Sequence, residues 1–453
     1  MRRTLALVAV ALSSIIAAVI AALVRPAPRP QAPPQSVRAG ALQMTTQLDR
    51  RYLPESGGGE TYLQVDLIAD ADPAARRRVP VNAVLILDRS GSMTGAKIDR
   101  ARDAARALVN SLSAADQLAI IEFSSDASVM VRSTPMTEAT RAQALAAIDQ
   151  LQAAGGTNMS AAFDLAAIEL RQGRADGRID KVFLASDGQA NEGVSDRAGL
   201  LSLAQSDFGR ATLSTFGMGD DYDEDLMTAF ASQSGGRSRY IASPEVLPGA
   251  FRDELSRASS AVARNVRLRI DGSSGASIDR VLGYQTLEGG WVRLPDFSAG
   301  EERRVLVKLR VPPGRGLMPL AQVELQLDDV ASSAAASARE SAQATFTSDA
   351  GLLALAPTGA AVEGAKAEMA DLAQQAAHFQ EEGRRAEAVA RVQALRSVAM
   401  QAGRDAPAAM SGMLQTAREY EKDVSAIDAP GVAASKALKQ KAYDAVRAPV
   451  AGW

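Results

Sequence analysis

Three short stretches of this chain carry side chains whose oxygen atoms could hold a hard cation. Residues 85–93 read Leu-Ile-Leu-Asp-Arg-Ser-Gly-Ser-Met, so an apolar run ends on Asp88 and then offers hydroxyls at alternate positions, Ser90 and Ser92. Thr157 follows two glycines, Gly155 and Gly156, and Asp187 closes a second apolar run just before Gly188. All five are oxygen donors, two of them anionic. The 453 residues include no cysteine and one histidine, His378. Thiolate ligands, disulfides and a multi-histidine zinc site are therefore excluded. Oxygen ligation favours magnesium, manganese or calcium. Ser-His-Asp catalysis has no support either, because no Gly-x-Ser-x-Gly elbow accompanies the lone histidine.

The elements that must position these donors are legible from periodicity. Apolar, strand-like runs at 81–87, 117–123, 129–132, 181–185, 211–217 and 239–242 alternate with amphipathic helical stretches at 97–112, 140–151, 159–171, 196–204 and 223–232. Strands alternating with helices predict a doubly wound, mostly parallel sheet covered on both faces. In such sheets ligands gather beyond the carboxyl ends of the strands. Asp88, Ser90 and Ser92 would project there, with Gly91 allowing a tight turn between them.

The flanks read differently. Residues 61–68 alternate apolar and polar, as do 266–270, 304–311 and 322–327, which is the period-two signature of strands. One β-sandwich with the α/β block inserted into it is expected. The alanine- and serine-rich stretch 331–344 reads as a loop or linker. Beyond about 360, apolar residues such as Met369, Leu372, Ala376 and Phe379 recur at helical spacing, with Gly383 and Gly403 as separators. The expected organisation is a membrane anchor or signal segment (1–25), a proline-rich linker (26–40), flanking strands (41–79), the α/β domain (80–258), the rest of the sandwich (259–347) and a helical tail (348–453).

The three donor stretches resemble the metal-ion-dependent adhesion site of von Willebrand factor type A domains, Asp-x-Ser-x-Ser followed by a distant Thr and a distant Asp. Gly95-Ala-Lys97, residues 116–123 and residues 215–219 are similar to the same family. The resemblance implies a Rossmann-like fold over 80–258, with Asp88, Ser90, Ser92, Thr157 and Asp187 holding one Mg2+, or alternatively Mn2+ or Ca2+. It also implies an open coordination position that accepts an Asp or Glu carboxylate from a partner protein. A divalent ion prefers about six oxygens, and three neutral hydroxyls leave its charge only partly answered.

The functional expectation is accordingly a metal-dependent protein-binding module, not an enzyme, with no cofactor beyond the ion and no small-molecule substrate evident. The alternative is a structural or assembly subunit of an envelope complex whose metal site mainly stabilises the fold. A metal-assisted hydrolase ranks third, since no general base is evident beside the ligands. The formal net charge of −3 gives no basic field for nucleic acid. Arg2 and Arg3 precede an uncharged run over 4–24, longer than the roughly 7–15 residues of a signal h-region and close to the roughly 20 of a spanning helix. A retained anchor with the domains extracytoplasmic is expected, or secretion after cleavage. The acidic run 220–225 fails the EF-hand pattern, having Leu226 where glycine is required, and reads as a helix cap. Asn158-Met-Ser160 is a chance sequon, and 76–78 is a short basic turn.

Overall fold

The computed structural model describes residues 36–56, 59–71, 78–187, 189–218, 222–241, 243–355, 359–427 and 432–447. The proposed anchor and most of the proline-rich linker lie outside these residues. Among the described residues, no helix is long and apolar enough to cross a membrane.

The described residues open with four strands, β1 (Ser36–Ala39), β2 (Leu42–Leu48), β3 (Tyr52–Pro54) and β4 (Gly59–Ala69). The linker expected over 26–40 therefore ends earlier, because Ser36–Ala39 pairs with β2. The α/β block follows: β5 (Val81–Asp88), α1 (Ala96–Ser111), β6 (Gln117–Phe123), β7 (Ala127–Pro135), α2 (Glu138–Asp149), α3 (Met159–Gly173), β8 (Ile179–Ser186), α4 (Arg197–Phe208), β9 (Thr212–Met218), α5 (Glu224–Ser234), β10 (Ser238–Ile241) and α6 (Leu247–Ser259). Strands then return as β11 (Ala261–Gly272), β12 (Ser277–Val281), β13 (Trp291–Arg293), β14 (Phe297–Ser298), β15 (Glu302–Val311), β16 (Gly316–Asp329) and β17 (Ala335–Thr347). The tail is helical: a short α7 (Ala350–Leu353), then α8 (Gly359–Glu381), α9 (Arg385–Asp405), α10 (Met410–Ser425) and α11 (Val432–Arg447).

The central sheet has the order β10-β9-β8-β5-β6-β7. Every pairing is parallel except β6 with the edge strand β7. The chain winds from β5 to β6 and later returns to the other side of β5 as β8, so the winding reverses at β5. That reversal opens the crevice beyond the strand ends. β5, β8 and β9 are buried nearly throughout, as expected of strands covered by helices on both faces. One apolar cluster packs α1 and α6 on one face, and the other packs α3, α4 and α5 on the opposite face. In the second cluster Phe163 of α3 sits edge-on to Phe208 and Phe230, with centroids 5.1 and 5.3 Å apart. Such contacts contribute about 0.5–1.5 kcal/mol each beyond burial, and they seat the helix that follows Thr157.

The α/β block is an insertion in the sandwich. One sheet has the order β1-β2-β4-β15-β12, so β4, from before the insert, pairs with β15, from after it, in unbroken antiparallel register from Gly59↔Val311 to Ile68↔Glu302. The second sheet has the order β13-β11-β16-β17-β3, and both sheets share one apolar core. The chain leaves and re-enters side by side: Val79 N–H donates to the Ser259 carbonyl at 2.7 Å.

Two expectations need correction. Residues 335–347 form β17, not a loop. The strand pairs with β16 over nearly its whole length and buries Ala342, Ala344 and Phe346, so pairing outweighs the weak strand preference of alanine and serine. Gly403 lies inside α9 rather than between helices; that helix ends just ahead of Pro407, whereas Gly383 does close α8 in the left-handed region at φ 72°. The helix α6 was not singled out, although Leu247, Ala250, Phe251, Leu255 and Ala258 recur at helical spacing and are all buried.

Glu340 on β17 carries a pH signature. Burial pushes its carboxyl up to about 7, against weaker opposing hydrogen bonds from Thr46. The folded state thus holds this proton more tightly than the unfolded chain, and stability falls as pH rises from about 4.5 through 7. The melting temperature of Glu340→Gln should exceed that of the wild type at pH 8, and the gap should close by pH 4.5. A gap of equal size at both pH values would contradict this.

Candidate metal centre

β5 delivers the first donors. Its last residue, Asp88, pairs in register with Phe123 of β6, and Arg89 N–H donates to the Phe123 carbonyl at 2.8 Å. The chain then turns back on itself. Ser90 N–H donates to Asp88 Oδ1 at 2.8 Å, and a short 3-10 turn over Gly91–Met93 leads to Gly95, at φ 83°, and α1. Gly91 was expected to permit this turn. Its φ is not among the positive values, and an added Cβ would stand 3.5 Å from the nearest atom, the Gly155 carbonyl oxygen, so the turn makes no steric demand for glycine.

The second loop is the one that needs glycine. Gly155 has φ 83°, and a Cβ there would stand 3.1–3.2 Å from Ser124 and Ser125 atoms; a Cβ on Gly156 would overlap the Glu192 carboxylate. The loop is tied to its neighbours: Gly91 N–H donates to Gly155 O at 3.0 Å, and Gly156 N–H to Ser125 Oγ at 2.8 Å. Thr157 N–H donates to Asn191 Oδ1 at 2.9 Å, and the Thr157 carbonyl accepts from Asn191 N–H at 3.0 Å. Asn158, the residue of the chance sequon, accepts from Ala161 N–H at 3.2 Å and caps α3.

The third donor comes from β8, adjacent to β5 in register, which ends on Ser186. Asp187 follows, and its Oδ1 accepts from Ser92 Oγ–H at 2.8 Å. Ser90 Oγ and Ser92 Oγ are 3.0 Å apart, and Ser186 Oγ–H donates to Asp88 Oδ2. Asp88, Ser90, Ser92 and Asp187 thus form one hydrogen-bonded chain. Ser92, Thr157 and Asp187 line a single crevice of about 740 Å³. Asp88 lies behind this crevice rather than on its wall.

Both carboxylates are fully buried. Burial pushes the Asp88 carboxyl above its ordinary range, and the nearby Asp187 charge adds to the effect; hydrogen bonds from Ser186 and Ser90 oppose it. Two buried anions at close quarters call for positive charge. Lys97 of α1 supplies one, donating from Nζ to Asp187 Oδ2. The donor chemistry suits a hard divalent ion: only oxygen is offered, two donors are anionic and three are neutral hydroxyls. Among the described residues, no three histidines, aspartates or glutamates are grouped so that they could hold a metal ion by themselves.

Several residues of this site escaped the sequence reading. Ser186 adjoins Asp187 and follows the same apolar run, a local signal. Lys97 meets Asp187 only because β5 and β8 are neighbours. The other wall of the crevice comes from 222–225 and from the tail, through Glu381, Lys436 and Lys439. Lys436 Nζ donates to the Tyr222 carbonyl at 2.6 Å and lies 4.0 Å from the centroid of its ring. Lys439 is held by Glu224 and by Glu381, the latter at 2.5 Å. Asp223, in the acidic run, accepts from Leu226 N–H at 2.9 Å and caps α5 as expected. Arg78, read as part of a solvated turn, instead pairs with the buried Asp116. His378 is half-exposed and stands 3.6 Å from Asp225.

A family model described as the von Willebrand factor type A domain matches residues 82–251. The protein sll0103 from Synechocystis sp. is 30% identical over 289 residues, spanning 60% of this chain and 67% of that relative. YfbK from Escherichia coli is 31% identical over 215 residues, or 47% of this chain, which covers only 37% of YfbK's length. Among solved structures, a von Willebrand factor type A protein from Catenulispora acidiphila superposes with a TM-score of 0.69 at 21% identity, over 93% of this chain and 99% of that one. The ArnB paralog VWA2 from Sulfolobus acidocaldarius superposes with a TM-score of 0.60 at 18% identity, over 89% and 98%. These two share the fold across sandwich, insert and tail. The chain belongs to the von Willebrand factor type A domain proteins.

Proposed function

We propose that the chain is a divalent-metal-dependent protein-binding module, tethered to a membrane by its N-terminal segment with the described domains extracytoplasmic, and not an enzyme. The observation that carries this reading is the convergence of Ser92, Thr157 and Asp187 on one crevice, backed by Asp88 and Ser90. Those five residues would hold the ion, most naturally Mg2+ and otherwise Mn2+ or Ca2+. When bound, it would supply an electropositive coordination position for a carboxylate oxygen from a partner protein. The protein's own groups do the rest. The Asp88–Ser90 and Asp88–Ser186 hydrogen bonds fix the buried carboxylate, the glycine loop aims Thr157, and the tail walls the opening.

Polar and charged side chains border that opening. Gln189 and Asn191 face it on one side and Lys439, held by two glutamates, on the other. Such a mouth suits one extended acidic side chain better than a broad apolar surface. A second reading, in which the ion mainly stabilises an envelope-assembly subunit, draws on the same wall, since the tail already covers part of the crevice. Partner binding that survives chelation alongside a large fall in melting temperature would favour it.

Asp88→Ala should weaken Mg2+ binding at least about tenfold, the loss expected for a charged ligand, and abolish Mg2+-dependent partner capture from membranes while circular dichroism stays unchanged. Capture that persists in the variant or in chelator would defeat the proposal. Lys97→Gln should do the reverse. The ammonium and a divalent ion answer the same Asp187 charge, so calorimetry should show tighter Mg2+ binding in the variant, and weaker binding would mean that Lys97 supports the site.

A further inference from the structure

A second cleft, of about 780 Å³, lies along the edge strand β10 between α6 and α11 and shares no lining residue with the metal crevice. Its wall gathers Arg237, Arg239, Arg252, Arg257, Arg303 and Arg447, against three carboxylates, Glu245, Asp253 and Asp444. Glu245 stands 3.6 Å from Arg100 and Asp253 stands 3.9 Å from Arg239, while Asp444 accepts from Gln440 at 3.0 Å and answers part of the charge of Arg239 and Arg237.

Among the described residues, Arg257 and Arg447 have no carboxylate of their own: Glu254, the acid next to Glu301 in influence on Arg257, already pairs with Lys181 and stands 4.0 Å from Arg237. Arg237 and Arg303 share the Glu301 carboxylate. Among the described residues the buried Arg447 donates to neutral oxygens, the Gly283 carbonyl, Ser232 Oγ at 2.8 Å and Tyr443 Oη at 3.2 Å. Arg257 is half-buried, and among the described residues no hydrogen bond or ion pair engages its guanidinium. Arg303 keeps a buried Nε without a partner. Burial, followed by the repulsion of Arg237, pushes Arg257 below the usual arginine range, against the weaker attraction of Glu301 and Glu254. Guanidinium forks that meet neutral oxygens or solvent in place of an anion offer the donor geometry that a tetrahedral oxyanion takes. Tyr240, Ile241, Pro248 and Pro295 add an apolar wall beside it.

We infer that this arginine cleft is a binding site for a phosphomonoester with an apolar body, held by Arg257 and Arg447 and entered past the exposed Arg252. The site is independent of the metal crevice and of its ion. The ligand is either a free small molecule or a lipid headgroup, since both present the same phosphate.

Calorimetry and thermal melts of the full chain with inorganic phosphate and with phenyl phosphate test it, in chelator so that the metal crevice plays no part. Both probes should bind saturably and raise the melting temperature, phenyl phosphate more tightly. Arg257→Gln should lose about tenfold in affinity, as expected for one charge-assisted contact. Without ligand the variant should melt no lower than the wild type, because it relieves repulsion. Arg257→Lys should recover only part of the affinity, lacking the planar fork. Saturable binding to phosphatidic acid vesicles but not to phosphatidylcholine vesicles, with the same Arg257 dependence, would assign the headgroup; phenyl phosphate binding without vesicle binding would assign the free molecule. Absence of saturable binding up to about 10 mM, unchanged affinity in Arg257→Gln, or a ligand-free melt several degrees lower in that variant would each overturn the inference.

Discussion

Asp88 ends β5 and Asp187 follows the neighbouring parallel strand β8, both wholly shielded from solvent, at the point where the winding of the sheet reverses. Burying one carboxylate without compensation costs several kcal/mol, and two near each other cost more. Much of the local structure can be understood as an answer to that charge. Ser186 and the Ser90 amide hydrogen-bond Asp88, Ser92 hydrogen-bonds Asp187, and Lys97 adds a full positive charge. What remains is a polar crevice in which every available donor is oxygen, the setting that a small hard cation prefers.

The rest of the molecule serves to hold that arrangement. Apolar helices on both sheet faces exclude water from the strand ends, and the two flanking sheets clamp the entry and exit of the insert between β4 and β15. The helical tail then closes one side of the crevice through α8 and α11, with Lys436 and Lys439 pinning the segment 222–225. α11 reaches further, since its last turns also wall the arginine cleft. One helix therefore borders both polar hollows, and the tail is a structural part of the site rather than an appendage.

The insertion and the doubly wound sheet were legible because fully buried parallel strands leave long apolar runs, as at 81–87 and 181–185, and because period-two patterning reappears on both sides. That Asp88, Ser90, Ser92, Thr157 and Asp187 come together was legible because each sits at or just after the end of such a run or behind two glycines. What escaped had no local signal. Lys97 and Asp187 meet only through strand order. The tail lysines reach the crevice from more than two hundred residues away, and nothing in an amphipathic helix says which surface it will cover. β17 was misread for a different reason: alanine and serine argue weakly for a strand, and the long partner β16, invisible to composition, decides the matter.

The central claim is that Asp88, Ser90, Ser92, Thr157 and Asp187 act together on one ion. Anomalous diffraction from crystals soaked in Mn2+ tests it most directly. The account predicts a single strong peak among the Ser90, Ser92 and Thr157 hydroxyls, with the Lys97 ammonium drawn away from Asp187. A peak elsewhere, or none at saturating Mn2+ with Lys97 still on Asp187, would contradict it.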